Sequence, residues 1–197
     1  MKFKIGLLSA VMAIFLAGLA PAAEKYTIDN VHSYVGFSVS YLVLSSVKGN
    51  FGDFEGMIHY DENDLTQSSV EVSVKTASID TDNPDRDNHL RNEDFFSAPE
   101  YPEITFKSDK ITKADDGYVL HGDLTMRGVT KAVEIPFEMR GKITDPRGNE
   151  RIAFEGSTKI NRKDFGVNWN KTMDTGGVVV GDEVEIDLQI QAIKAGK

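Results

Sequence analysis

Side chains that could carry out acid–base chemistry are concentrated in one short stretch, RDNHLRNEDFF, at positions 86–96. His89 lies close in sequence to the carboxylates of Asp87 and Asp94, and a histidine with a carboxylate can act as a general acid–base pair. This pair is the main feature in the chain that favours an enzyme. Catalysis requires that both groups face a substrate. Whether they can do so depends on the secondary structure of the segment that carries them.

The same stretch has the features of a structural helix. In the tripeptide DNP at positions 82–84, either of the first two residues can cap a helix, and the proline fits its first position. Asp87 and Arg91 are four residues apart with the acid nearer the amino end, a pair that stabilises a helix by about 0.3 kcal/mol. We therefore predict a helix over residues 84–96 that docks like a lid on an open barrel end through the apolar residues Leu90, Phe95 and Phe96.

Other catalytic and metal-binding patterns are missing from the sequence. The four histidines, at positions 32, 59, 89 and 121, do not show the His-x-His or His-Glu-x-x-His spacing of metal sites. The Gly-x-Ser-x-Gly turn of serine hydrolases and the glycine-rich loops that hold phosphates are also absent. We predict no catalytic residues, no metal site and no cofactor, and keep the His89 pair as the enzymatic alternative.

The amino terminus has the features of an export signal. Lys2 and Lys4 precede an apolar run at positions 5–19, which ends at the small-residue pattern Ala20-Pro21-Ala22. The run is shorter than the ~20 residues that a membrane-spanning helix needs, which makes a membrane anchor the weaker alternative. We expect a cleaved signal peptide over residues 1–22, a mature domain over 23–197, a periplasmic location and no stable membrane insertion.

The overall charge narrows the possible partners. The chain carries a formal net charge of −9, and removal of the leader would make it more acidic by removing two lysines. An acidic surface repels the phosphate backbone of nucleic acids, so we expect no nucleic-acid partner. The chain has no cysteine, which excludes both disulfides and the lipidated cysteine of a bacterial lipoprotein.

Alternating apolar and polar residues dominate the rest of the chain, which is the pattern of strands with one buried face. Turn-forming clusters such as DENDL and DPRG separate these segments at the regular spacing of an antiparallel meander. No linker or internal repeat divides the chain after the leader. We predict one all-β domain of about eight strands, with the clearest alternation in segments 35–41, 70–74, 120–126, 133–139 and 184–190.

Three glycines, Gly49, Gly52 and Gly56, occur where the apolar phase slips between Phe51 and Phe54. Such a slip predicts a bulge or a sharp bend that lets a sheet curl and close. A closed barrel of eight strands has an interior that side chains can fill or that can hold one small ligand. Periodicity alone does not choose between these two possibilities.

Several motifs in order resemble those of the YceI-like lipid- and polyisoprenoid-binding proteins of the bacterial periplasm. They are DNVHSYVGFSV, VKGNFGDFEG, SIDTDNPDRDNHLRNEDFF, YPEITFKS, GDLTMRGVT and NRKDFGV near Trp169, and they span nearly the whole mature chain. Asn92 departs from the family pattern, which usually has serine there. The resemblance implies an extended, lipocalin-like antiparallel barrel whose long apolar cavity receives an isoprenoid tail and leaves the head group at the mouth.

The resemblance and the alternation together give a candidate ligand site. The predicted partner is an isoprenoid-type or other amphiphilic lipid, held by a binding or carrier protein that could also form a homodimer. Two alternatives remain, namely an enzyme that acts on a small amphiphile and a stress-induced protein with a filled core. We expect ligand contacts from two groups of residues: Phe37, Val39, Val72, Val74, Phe106, Leu124, Ile135 and Phe137 inside the barrel, and His32, Arg86, His89 and Arg127 near its mouth.

Overall fold

A computed structural model describes residues 23–173 and 177–196. The signal peptide predicted over residues 1–22 lies outside these residues. Within them the chain forms a single α-helix, α1, at Pro84–Arg91. It also forms eleven β-strands: β1 Glu24–Ile28, β2 Tyr34–Tyr41, β3 Ser45–Phe51, β4 Phe54–Tyr60, β5 Ser69–Lys75, β6 Ile79–Asp80, β7 Glu103–Lys113, β8 Tyr118–Met126, β9 Val129–Thr144, β10 Glu150–Asn161 and β11 Val180–Lys194.

Eight of the strands close into a ring, which confirms the predicted antiparallel barrel of about eight strands. Their order around the barrel is β1-β4-β5-β7-β8-β9-β10-β11, and β1 pairs with β11 to complete the ring. The fifteen residues of β11 extend roughly 45 Å at ~3.3 Å per residue. Because β1 pairs with only the last part of β11, β2 takes its place along the first part, and β3 and β6 continue the wall from there.

The predicted bend near the three glycines is the corner between β3 and β4. The chain leaves β3 at Phe51 and resumes at Phe54 with new strand partners, so β3 pairs with β2 while β4 pairs with β1 and β5. Gly56 lies where neighbouring strands come very close, because a Cβ there would be 2.7 Å from the Glu71 carbonyl oxygen. The phase slip in the sequence therefore marks a change of partner strand.

One end of the barrel is sealed by packed side chains. Tyr26 and Ala192 are completely buried there and Ile152 is 1% exposed. The Tyr26 and Tyr60 rings meet edge to face with centroids 5.7 Å apart, a favourable aromatic geometry. We call this the closed end.

The helix is shorter than the sequence predicts, since it ends at Arg91 and not at residue 96. The side-chain oxygen of Asn92 accepts a hydrogen bond from the Asp94 N–H (2.9 Å), and the Phe95 and Ser97 N–H groups return to the Asn92 carbonyl. Local bonds of this kind compete with helical ones. Residues 92–98 therefore form tight turns that still carry Phe95 and Phe96 onto the barrel.

The predicted ion pair between Asp87 and Arg91 is also wrong. Asp87 is buried, and its Oδ1 accepts hydrogen bonds from the N–H (2.9 Å) and hydroxyl (2.5 Å) of Thr81. Arg91 donates from Nε to the Ala77 carbonyl and from Nη2 to the Ile79 carbonyl. Both side chains tie the helix to the preceding segment, because hydrogen bonds to these fixed groups stabilise more than an exposed ion pair does.

Candidate functional site

The barrel encloses a cavity of about 1140 Å³, which is larger than the ~300–1,000 Å³ of common small-molecule pockets. All eight apolar residues that the alternation placed inside the barrel line this cavity. They come from β2, β5, β7, β8 and β9, so the wall is apolar on most sides. Whether each of them contacts a ligand stays a prediction.

Further apolar lining residues were not among the predicted ligand contacts, for two different reasons. β11 contributes four side chains whose alternation was recognised but whose position next to the cavity was not. The end of α1, the turns after it and the loop after β10 contribute others that show no strand alternation. These lining residues are Val184, Ile186, Leu188, Ile190, Leu90, Phe95, Phe96, Val167 and Trp169.

The mouth of the cavity lies at the opposite end of β11 from the closed end. Tyr41 pairs with Val180 at the start of β11, whereas Tyr26 pairs with Lys194 at its finish. Exposed lining residues gather at this side, on the β2–β3 hairpin, on α1 and on the loop before β11. We call these residues the mouth: Tyr41, Ser45, Ser46, Lys48, Asp85 and Lys171.

Three rings form a cap over the interior beside the mouth. The His89 ring meets Phe95 and Trp169 edge to face, with centroid distances of 5.0 Å to each. The Phe95 and Trp169 rings are themselves 5.1 Å apart. Because Trp169 comes from the loop after β10 and the other two from the helical segment, the cap joins two separate parts of the chain.

Two of the predicted polar residues, Arg86 and His89, line the cavity. Arg86 donates from Nε to the Thr81 hydroxyl (2.8 Å) and from Nη2 to the Thr81 carbonyl (2.7 Å). Within the described residues its Nη1 has no hydrogen-bond partner and remains free to bind a polar group. His89 Nε2 lies 2.9 Å from Asp94 Oδ2, so one ring nitrogen is already engaged.

The other two predicted polar residues, His32 and Arg127, lie outside the cavity lining. His32 Nδ1 contacts Asp29 Oδ2 at 2.8 Å. Arg127 donates to the carbonyl oxygens of Glu93 (2.8 Å) and Phe95 and so holds the turns after α1 against the β8–β9 hairpin. His32 and Arg127 lie in family motifs, but this position in the sequence did not show that their side chains bind other protein groups and do not line the cavity.

Asp29 also belongs to an ion-pair network near the closed end. Arg151 donates from Nη1 to Asp29 (2.6 Å) and from Nε to Asp145 (2.9 Å). Burial opposes ionisation of Asp29, but hydrogen bonds from Arg151 and His32 outweigh it and lower the pKa of this carboxyl. The Arg151 hydrogen bond, together with N–H groups of the following turn, holds the pKa of Asp145 well below its usual range. The network joins the residue that follows β1, the β9–β10 turn and β10.

Arg162 is a lining residue that was not among the predicted ligand contacts. It is only 5% exposed, and its guanidinium donates to the carbonyl oxygens of Val167 (2.7 Å), Trp169 (2.9 Å) and Gly181 (2.8 Å). Burial lowers the pKa of the Arg162 guanidinium, against the opposing effect of Asp182. Its role is to hold the loop that carries the cap tryptophan.

Charged lining residues give the cavity a cationic character that the whole chain does not have. Four permanently cationic residues border it against two acidic ones, in a protein with a net charge of −9, although Arg162 already binds backbone carbonyls and Glu155 is paired with Arg140. An anionic or polar group at the mouth would therefore meet donors and a favourable local potential. These side chains are the cations Lys48, Arg86, Arg162 and Lys171 and the carboxylates Asp85 and Glu155.

The histidine–carboxylate pair of the enzymatic alternative exists only in part. Asp87 is bound to Thr81, which leaves Asp94 as the partner of His89. His89 is also packed between two rings of the cap. Among the described residues, no three metal-ligating side chains come together as a metal site would require.

No helix in the described parts of the chain has the length and apolar character needed to cross a membrane.

Comparison with known proteins identifies relatives over almost the entire barrel. The YceI-like domain family matches residues 26–192. A UPF0312 protein of Photorhabdus laumondii is 38% identical over 164 residues, which cover 83% of this chain and 85% of that protein. The crystal structure of BcnA from Burkholderia cenocepacia superposes with a TM-score of 0.73 at 25% identity, covering 83% of this chain and 98% of BcnA.

A more distant structure has the same fold. A polyisoprenoid-binding domain from Saccharophagus degradans, implicated in plant cell wall breakdown, superposes with a TM-score of 0.61 at 13% identity. The alignment covers 86% of this chain and 98% of that domain.

Proposed function

This chain belongs to the YceI-like domain family, and we propose that it is a periplasmic binding or carrier protein for one isoprenoid-type lipid. The tail of the lipid would occupy the apolar cavity, and its polar head group would remain at the mouth. The observation that carries this proposal is the cavity itself, about 1140 Å³ in volume and apolar on most sides. A filled interior, as the stress-protein alternative requires, does not fit this cavity.

Burial of an apolar tail supplies enough free energy for binding without specific polar contacts. Each buried methylene contributes about 0.8 kcal/mol, so a tail of about twenty carbons contributes roughly 16 kcal/mol. This exceeds or balances the ~4–15 kcal/mol that association costs in lost freedom of motion. The cavity can therefore select a class of tail by size and apolarity. The fold that this chain shares with the polyisoprenoid-binding domain of Saccharophagus degradans is consistent with an isoprenoid tail.

The cationic side chains at the mouth favour an anionic head group. Lys48 and Lys171 are exposed there, and Arg86 has a free Nη1 directed to no protein acceptor within the described residues. Charge-assisted hydrogen bonds to a phosphate are stronger than those to a neutral hydroxyl. A polyprenyl phosphate is therefore the ligand that we expect to bind best.

The contacts of His89 fit a binding protein better than an enzyme. Its contacts with Phe95 and Trp169 give it a packing role in the cap, and Asp94 fixes its orientation. A general acid or base at this position would have to use the other ring nitrogen, because the carboxylate of Asp94 holds Nε2. The enzymatic alternative thus depends on a pair that the cap already uses.

Two measurements test the lipid proposal. The first is mass spectrometry of an organic extract of the purified protein, in which we expect a co-purifying lipid. The second is titration with geranylgeranyl phosphate, followed by the emission of Trp169, the single tryptophan of the chain and part of the cap. Geranylgeraniol is the matched control without charge, and we expect it to bind about ten-fold more weakly. Absence of extracted lipid together with an unchanged emission for both probes would overturn the proposal.

The periplasmic location has its own test. Export predicts that the mature chain begins at Ala23 or one residue later, which amino-terminal sequencing of the product from a periplasmic extract determines. Retention of Met1 on protein in the membrane fraction would contradict the location and leave the lipid proposal standing.

A further inference from the structure

An exposed apolar patch surrounds one side of the mouth. Val43 and Leu44, at the tip of the β2–β3 hairpin, are 79% and 88% exposed, and Tyr41 and Val178 beside them are 39% and 41% exposed. The four residues account for half of the large exposed apolar side chains in the described part of the chain. Single exposed apolar residues are common, but a contiguous group marks an interaction surface. We call Tyr41, Val43, Leu44 and Val178 the rim patch.

The turn at the tip does not have the residues that its backbone favours. Leu42 and Val43 are its two central residues, with φ angles of 53° and 61°, and the Leu44 N–H closes it on the Tyr41 carbonyl (3.2 Å). Hairpin turns with positive φ at both central positions favour Asn-Gly, and a β-branched residue there is strained. Leucine and valine thus destabilise the turn and expose apolar surface at once. Neither effect helps the fold, so apolarity at the tip points to a function.

The rim patch is continuous with the cavity. Tyr41 belongs to both, and Ser45 and Val47, which follow the tip, also line the cavity. The Leu42 N–H binds the Val179 carbonyl (2.8 Å), so the hairpin and the loop that carries Val178 move together. A surface that touches the tip of the hairpin therefore also faces the opening.

We propose that the rim patch inserts reversibly into the surface of a phospholipid bilayer, so that a lipid tail passes directly between the membrane and the cavity. This inference rests on the proposed lipid-binding function. Val43 and Leu44 would enter the apolar layer and Tyr41 would lie at the headgroup level, where tyrosine is favoured. Lys48 and Lys171 at the mouth would face lipid phosphates.

The size of the rim patch favours a membrane over a second copy of the chain. A stable protein interface needs roughly 20–30 residues on each side, whereas the rim patch has four residues on a narrow, convex tip. A few apolar side chains with adjacent cations are sufficient for reversible attachment to a bilayer. Such attachment also shortens the path of an insoluble tail through water, whose exposure is unfavourable by about 0.8 kcal/mol per methylene.

Vesicle flotation of the full mature chain tests the proposal. Val43→Gly with Leu44→Ser removes the two most exposed side chains of the rim patch, and glycine suits the positive φ at position 43, so the fold should be kept. Ile143→Ser is the matched control, because Ile143 is 64% exposed on β9 and does not line the cavity. The vesicles contain phosphatidylcholine alone or mixed with phosphatidylglycerol.

We expect the parent chain and Ile143→Ser to float with vesicles, more strongly when phosphatidylglycerol is present. The double variant should float about ten-fold less while melting at the same temperature or higher. Equal flotation of parent and double variant, or none by either, would overturn the proposal. So would a dimer in size-exclusion chromatography that the double variant abolishes while neither protein floats, since the patch would then bind a second copy.

Failure of this proposal is distinguishable from failure of the proposed function. Titration of both proteins with geranylgeranyl phosphate in the absence of vesicles reports on the cavity alone, through Trp169. A protein that binds this probe but does not float retains the lipid-binding function and lacks the membrane step. If the protein floats but does not bind the probe, the proposed lipid-binding function is wrong, whereas attachment to the membrane is supported.

Discussion

Replacing Val72 by aspartate should abolish lipid binding without unfolding the barrel. Val72 lines the cavity from the middle of β5, where it pairs with Gly56 on one side and Phe106 on the other. It is half-buried, and a cavity of about 1140 Å³ is large enough to admit water around a new carboxylate. The fold should therefore lose little more than the ~1.5 kcal/mol that a buried valine contributes.

A bound tail changes this balance, because it excludes the water that solvates the carboxylate. An unpaired polar group against an apolar surface costs several kcal/mol, and 1.4 kcal/mol corresponds to a ten-fold change in affinity. We expect the affinity for geranylgeranyl phosphate to fall about a hundred-fold or more in Val72→Asp. Lipid retained through purification should disappear as well.

Val119→Asp is the control for this experiment. Val119 lies on β8 next to Leu120, which lines the cavity, so Val119 itself points to the outer face of the barrel. The same substitution there should leave probe binding unchanged. Two measurements, thermal melting and the Trp169 titration, are made on both variants. If Val72→Asp bound the probe as tightly as Val119→Asp, the tail would not pass Val72. Collapse of Val72→Asp, with no lipid in the parent, would show a packed interior.

Three further substitutions separate structural from binding roles. His89→Gln should leave probe affinity within a few-fold, and complete loss of binding with unchanged circular dichroism would favour the enzymatic alternative. Arg162→Met should lower stability by about 3 kcal/mol and the melting temperature by roughly 10 °C, because three carbonyls lose their donor; an unchanged melt would contradict this. Asp145→Asn should lower the melting temperature at neutral pH, since Arg151 lowers the pKa of the folded carboxyl. This contribution is present above the unfolded pKa of about 3.9 and is lost at lower pH. The difference from the parent in melting scans should therefore shrink below about pH 4, and a constant difference would refute it.

The sequence predicted the barrel wall because alternation has one physical cause. Most inward side chains on the strands of a barrel are apolar, and the neighbours two residues away point the same way. Val72 and Phe106 were assigned to the interior separately, and the register places them opposite each other. The alternation within a single strand shows which of its residues face the interior, so these residues can be predicted without knowledge of the tertiary fold.

The cap and the mouth could not be predicted in this way, because their residues act through distant partners. Arg127 is followed by a glycine in a hairpin turn, and nothing near it shows that it binds Glu93 and Phe95. Arg162 binds the Val167 and Trp169 carbonyls in the loop that directly follows it, and that loop has no periodicity to show it; its third acceptor, the Gly181 carbonyl, comes from the start of β11. The early end of α1 had a local signal, since Asn92 readily binds its own backbone, but the prediction placed the docking residues Phe95 and Phe96 on the same helix as Leu90.

The sealing of one end by Tyr26, Tyr60 and Ile152 has a consequence for the length of the ligand. A tail can enter such a barrel only from the mouth, with its free end first, and it must leave by the reverse path. The distance from the mouth to the closed end then sets the length of tail that fits best. A tail that is too short leaves wall residues without contacts, whereas one that is too long pushes its head group beyond Arg86 and Lys171. Affinity across a series of polyprenyl phosphates should therefore rise with chain length to a maximum and then decline.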